Sequence, residues 1–124
     1  MTLHTALIKT EEEKISSEKA KKFIFSEKNG AESIFVGRVR NENSGQKVNA
    51  VTYDAHDKAV MKSFQLICKD AKKKFDKNAS IFLEHAKGYV PVGEISILIA
   101  ISSGHRDEAF KICRYILEEI KHKS

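Results

Sequence analysis

The chain has 124 residues, 41% of them hydrophobic and 31% charged, with a net charge of +5. That is enough for one packed core, so a single domain over residues 1–124 is expected. No apolar run approaches the roughly 20 residues that cross a bilayer, and Met1-Thr2-Leu3-His4 opens no basic-then-apolar leader, so the expectation is no membrane role and a cytoplasmic setting.

Along the chain, Ala6–Lys9 carries a short edge-strand pattern. Ser16 or Ser17 then caps a helix with Ala20, Phe23 and Ile24 at helical spacing, and Asn29-Gly30 is expected to end it. Ser33–Arg40 is rich in Ile, Phe and Val and predicts a strand. The polar Asn41–Lys47 is a connection of hairpin size, and Val48–Ala55 predicts a second strand, antiparallel to the first. Asp57 can cap a long helix whose Val60, Phe64, Ile67, Cys68, Ala71 and Phe75 form one apolar stripe, broken at Asn78. Ile81–Ala86 and Glu94–Ser102 predict two more strands, separated by the turn-rich Gly88–Gly93. A last helix runs from about Arg106 to Lys121, with an apolar face wider than one core contact needs, which leaves room for a second partner. The element order predicts an α+β fold with a mostly antiparallel sheet packed by helices.

Of 22 basic residues only four are arginine, and three of these, Arg38, Arg40 and Arg106, fall in two polar segments, Gly37–Gly45 and Ser103–Arg106. Lysine supplies the general surface charge, so a placed arginine has a more specific task, such as gripping phosphate or carboxylate. Arg40 ends a predicted strand beside the polar Asn41–Gly45 loop; the bland alternative is a solvated strand end. On the strand Ser33–Arg40, Ile34, Val36, Arg38 and Arg40 are expected to share one face, and Phe35, Gly37 and Val39 the other. His105-Arg106 opens a helix after a strand, where free N–H groups and the helix dipole favour an anion. Asp107 in the same turn can answer that dipole by itself. Lys121, at the end of an apolar helix, is placed for partial desolvation, which would lower its pKa and free its amine. His85 and His56 are read as structural. Cys68 and Cys113 lie far apart on apolar helix faces, so buried thiols are expected and no metal site. The lysine run Lys69 to Lys77 is read as a solvated helix end. No Ser/His/Asp order, P-loop, GxGxxG or HExxH occurs.

Gly37, Val39, Arg40, Asn41 and Asn43, then His85 and Gly88, then Ser103, His105 and Arg106, then Lys121 resemble, in order and spacing, the motifs of the molybdopterin synthase large-subunit family. The resemblance covers the chain from about Gly30. It implies a hammerhead-like α+β domain that forms a homodimer and binds a ubiquitin-like small subunit, giving a heterotetramer. The implied activity is sulfur transfer from the small subunit's C-terminal thiocarboxylate to cyclic pyranopterin monophosphate, forming molybdopterin, with no cofactor and no nucleic acid. Lys121 would be catalytic, and Arg40, His105 and Arg106 would hold the substrate. Phe35, Asn41 and Leu117 would line the pocket. The sequence departs from the family after Lys121, where a Pro-x-Trp-Lys-Lys-like segment with a second lysine is replaced by His122-Lys123-Ser124. A shortened chain is therefore expected, and a non-catalytic binding module of the same fold stands as the alternative. A basic RNA-binding domain is the more distant one.

Overall fold

The computed structural model describes residues 2–53 and 57–123; the sequence expectations for Asp54, Ala55, His56 and Ser124 lie outside them. In chain order the elements are β1 (Leu3–Lys9), α1 (Ser17–Ile24), β2 (Ala31–Arg38), β3 (Glu42–Asn43), β4 (Gln46–Lys47), β5 (Ala50–Tyr53), α2 (Asp57–Phe75), β6 (Ser80–Pro91), β7 (Ile95–Ser103) and α3 (Arg106–Lys123). Ser16 caps α1, its side chain accepting from the Lys19 N–H. Asp57 sits in the first turn of α2, where the helix dipole favours a carboxylate.

The main sheet has the order β1-β6-β7-β2, with β5 paired to the outer stretch of β6. Its pairings are antiparallel except β1 with β6. The run Ile95–Ile101 is almost continuously apolar because both faces of β7 are covered. Ile97, Ile99 and Ile101 enter one core with Phe64, Ile67, Ala109, Ile112 and Ile116 of α2 and α3. Leu98 and Ala100 enter the other with Ala20 and Ile24 of α1. Full burial of a side chain such as Ile112 or Ile116 contributes about 1.5–3 kcal/mol. The expected α+β class, three helices and mostly antiparallel sheet are present.

Several local expectations are corrected. The first helix stops at Ile24, not Asn29: Phe25 leaves in extended conformation and Ser26–Asn29 forms a separate turn. The segment after β4 pairs with Gly88–Pro91, not with β2. β2 instead lies against β7, and β6 runs on through the stretch expected to be a loop. A bulge between Gly37 and Arg38 breaks the strand's alternation. Val39 consequently joins Ile34 and Val36 in the α1-side core rather than lying opposite them. Asn41–Lys47 folds into its own small hairpin, β3–β4, turned by Ser44 and Gly45 at positive φ.

Candidate active site

α3 begins directly after β7, and its first turn forms one wall of an open cleft lined by Gly30, Ala31, Gly104, His105, Arg106 and Asp107. His105 caps the helix through its carbonyl, which accepts the Ala109 N–H at 3.2 Å. His105 and Arg106 are exposed, and the first-turn N–H groups favour an anion beside them. Asp107 and Glu108 occupy the same turn and offset the dipole in part. Gly30 permits the facing wall to come close: a Cβ there would lie 3.1 Å from the Gly104 carbonyl oxygen.

The adjacent serines Ser102 and Ser103 are fully buried and, as strand neighbours, point to opposite faces. Ser102 Oγ donates to the Ile24 carbonyl at 2.5 Å and accepts from Asn29 Nδ2 at 3.0 Å, on the α1 side. Ser103 Oγ donates to the Asp76 carboxylate at 2.5 Å, on the α2 side.

Arg40 and Lys121 lie elsewhere. Ala31 pairs with Ser103 and Arg38 with Ile95, so the seven steps of β2 separate its two ends by about 23 Å. Arg40, exposed, follows the far end. α3 packs along β7 and β2, and its fifteen steps from Arg106 carry Lys121 about 22 Å from the cleft. The structure thus brings His105 and Arg106 to one cleft and leaves Arg40 and Lys121 each far from it. Lys121 is exposed, not partly desolvated as expected. Ile112, Ile116 and Ile120 form the buried stripe of α3, and Lys121 stands about 100° further round the helix, away from the sheet. Phe35 and Leu117 are half-buried against the core shared by α2 and α3. Asn41 is exposed, and its carbonyl closes the base of the small hairpin by accepting the Val48 N–H at 2.8 Å. Arg38 is bound to the fold, donating to the Gly93 carbonyl at 2.7 Å.

Around these groups the remaining chemistry is structural. Cys68 and Cys113 are buried free thiols, as expected. Burial pushes Cys68 up to about 12; burial also raises Cys113, partly offset by a hydrogen bond with Ser33. Among the described residues no cluster of three or more His, Cys, Asp or Glu could hold a metal, and no helix is long and apolar enough to cross a membrane. Part of the lysine run is tied into the fold: Lys72 donates to Thr2 at 2.6 Å, and Lys74 pairs with Asp70 and lies over the Tyr115 ring.

His85 is half-buried between the Tyr53 and Phe64 rings, and its Nδ1 donates to the Ala86 carbonyl at 2.7 Å. Burial lowers its pKa, partly offset by that carbonyl. A histidine kept neutral by the fold contributes stability that is full above its unfolded pKa of about 6.5 and lost as pH falls through its lower folded value. Urea unfolding at pH 8 and pH 5 should therefore show a smaller acid loss in His85→Gln than in the unchanged chain. An equal acid loss in both would remove His85 from the account.

Fold and cleft define a class: an α+β protein that presents an exposed histidine and arginine at a helix N-terminus, suited to an anionic small molecule. The chain belongs to the MoaE protein family, whose sequence model matches residues 10–123. It is 35% identical over 105 residues to a molybdopterin synthase catalytic subunit of Synechococcus elongatus, covering 85% of this chain and 64% of that protein. It is also 35% identical over 118 residues to the protein of that name in Pyrococcus abyssi, covering 95% and 78%. Among solved structures, molybdopterin synthase from Staphylococcus aureus superposes with a TM-score of 0.84 at 27% identity, over 98% of this chain and 84% of that one. The chain thus spans a little under two thirds of the cyanobacterial relative's length.

Proposed function

We propose that this chain is the catalytic subunit of a cytoplasmic molybdopterin synthase. In this reading, sulfur passes from the C-terminal thiocarboxylate of a ubiquitin-like small subunit to cyclic pyranopterin monophosphate, yielding the dithiolene of molybdopterin. The observation that carries it is the cleft at the start of α3, where His105 and Arg106 stand exposed on free helix N–H groups, in a chain of this family. An anionic phosphate is the ligand such a site suits. Lys121 then assists acyl or proton transfer, and Arg40 adds a second grip on the substrate.

One continuous helix runs from Arg106 to Lys121, and its fifteen steps span about 22 Å. A pterin phosphate cannot bridge that length, so the reading requires a homodimer in which one copy supplies His105 and Arg106 and the other Lys121 and Arg40. Phe110, 63% exposed on α3 one turn beyond Arg106, offers apolar surface for such a contact.

The direct test incubates the protein with thiocarboxylated small subunit and pyranopterin precursor, reading product fluorescence. Product formation is expected; a stable complex without product would make the chain a binding module instead. Within that assay, Arg40→Ala and Arg106→Ala should each lose about 1.5–3 kcal/mol of charge-assisted substrate binding while remaining folded. Arg114→Ala should be much milder, because Arg114 is exposed and engages Glu118 at 3.2 Å. Equal activity in all three variants would remove the phosphate assignment.

A further inference from the structure

Asp76 places a carboxylate where helix electrostatics disfavours one. It directly follows the last residue of α2, and its own N–H bonds back to the Lys72 carbonyl at 3.0 Å. The negative end of the helix dipole therefore faces it, which costs stability unless donors compensate. Three donors do. The Asn78 N–H reaches Oδ1 at 2.9 Å, Ser103 Oγ reaches Oδ2 at 2.5 Å, and the Gly104 N–H adds a favourable backbone interaction with the charge. Burial opposes the charge, yet these hydrogen bonds and nearby Lys72 outweigh it and hold the carboxyl below its ordinary value.

Two of those donors belong to the residues immediately before His105 and Arg106. Ser103 is also paired with Ala31 at the end of β7, whereas Gly104 lies beyond that ladder. A side chain added at Gly104 would meet nothing within 4 Å, so no side-chain packing holds it on that side. Ser103, by contrast, is fully buried and can only be satisfied from within the protein. The carboxylate thus ties the end of α2 to the junction of β7 and α3, from behind the cleft.

We propose that Asp76 is a positioning residue, holding the Ser103-Gly104 turn so that His105 and Arg106 face the substrate phosphate. This rests on the phosphate reading above and adds the group that orients the grip. Asp76 touches no substrate; it acts through the turn.

The test uses the full chain with thiocarboxylated small subunit. Amide hydrogen exchange is followed at Gly104, with Ile99 in the centre of β7 as an internal reference. Asp76→Ala should speed Gly104 exchange but not Ile99 exchange. It should also raise KM for the pterin on the order of tenfold with kcat little changed, since misplacing a binding group weakens substrate capture. Ser103→Ala, which removes one of the donors, should raise KM in the same direction. The Asp76→Ala/Ser103→Ala double variant should fall short of the two effects added together, because the two groups act as one link. Asp76→Asn keeps the shape and an acceptor oxygen, and should recover part of the loss. If Asp76→Ala proves too unstable to assay, Ser103→Ala and Asp76→Asn carry the same comparison. Unchanged KM in the Asp76 and Ser103 variants, with a raised KM in Arg106→Ala, would overturn this inference alone. Unchanged KM in Arg106→Ala as well would overturn it together with the phosphate reading. A fall in kcat and a rise in Ile99 exchange, with KM constant, would reduce Asp76 to general stability and also overturn it.

Discussion

Lys121→Ala is expected to lower turnover by about 10²–10⁴-fold, the range for loss of a positioned acid–base group, with the fold intact. The fold should survive because Lys121 is exposed and the stripe that anchors α3 ends at Ile120. Lys121→Arg is the sharper variant. It keeps a positive charge at the same helix position but supplies a guanidinium that does not deprotonate in proteins. If the amine moves a proton or takes up an acyl group, arginine should fail nearly as badly as alanine. Near-normal turnover in Lys121→Arg, measured by product fluorescence at saturating small subunit, would reduce Lys121 to an electrostatic role. Its exposure in the single chain makes the dimer part of this prediction, since Lys121 stands exposed among the described residues of one subunit.

Much of the fold was legible where one physical signal dominated. The stripe Val60, Phe64, Ile67, Cys68, Ala71 and Phe75 keeps a helical period, and the nineteen-residue α2 is that helix. β7 was legible as an apolar run, and its double burial explains why it does not alternate. Strand pairing was less so, because partners are chosen by distant surfaces. Nothing local to Val48–Tyr53 says that β5 will lie on Gly88–Pro91, or that Leu3–Lys9 will run parallel to β6. Gly88, at positive φ, looked like a turn but sits inside a strand that continues through it. The bulge after Gly37 was equally hidden, and it alone moves Val39 to the other core.

The candidate site divides in the same way. His105 and Arg106 stood out because a strand and a helix meet there, and the structure does put them together on one cleft. Asp76 did not stand out, since one aspartate after a lysine-rich helix carries no local signal. Its meaning comes from Ser103 and Gly104, far along the chain, reaching back to it. The expected desolvation of Lys121 failed for a related reason. Position at the end of an apolar helix sets which residues are near the stripe, but the angle around the helix decides which of them is buried.

At pterin concentrations well below KM, where an Arg106→Ala chain and a Lys121→Ala chain are each nearly inactive alone, mixing the two is expected to restore about a quarter of the unmutated activity after subunit exchange. The figure follows from two-fold symmetry: half of randomly paired dimers are mixed, and one of the two sites in each is then intact. The requirement comes from α3, which holds Arg106 and Lys121 on one unbroken helix, and from β2, which sets Arg40 and the cleft at opposite ends of the sheet. A site built within one chain has no such route to recovery, because every chain in the mixture would still lack one group. An Arg106→Ala/Lys121→Ala double variant mixed with the unmutated chain gives the control. Each mixed dimer then has two damaged sites, so the mixture should also fall to about a quarter rather than to half. Half-activity in that control, together with no recovery in the first mixture, would place all the groups of each site in a single subunit and end the shared-site arrangement.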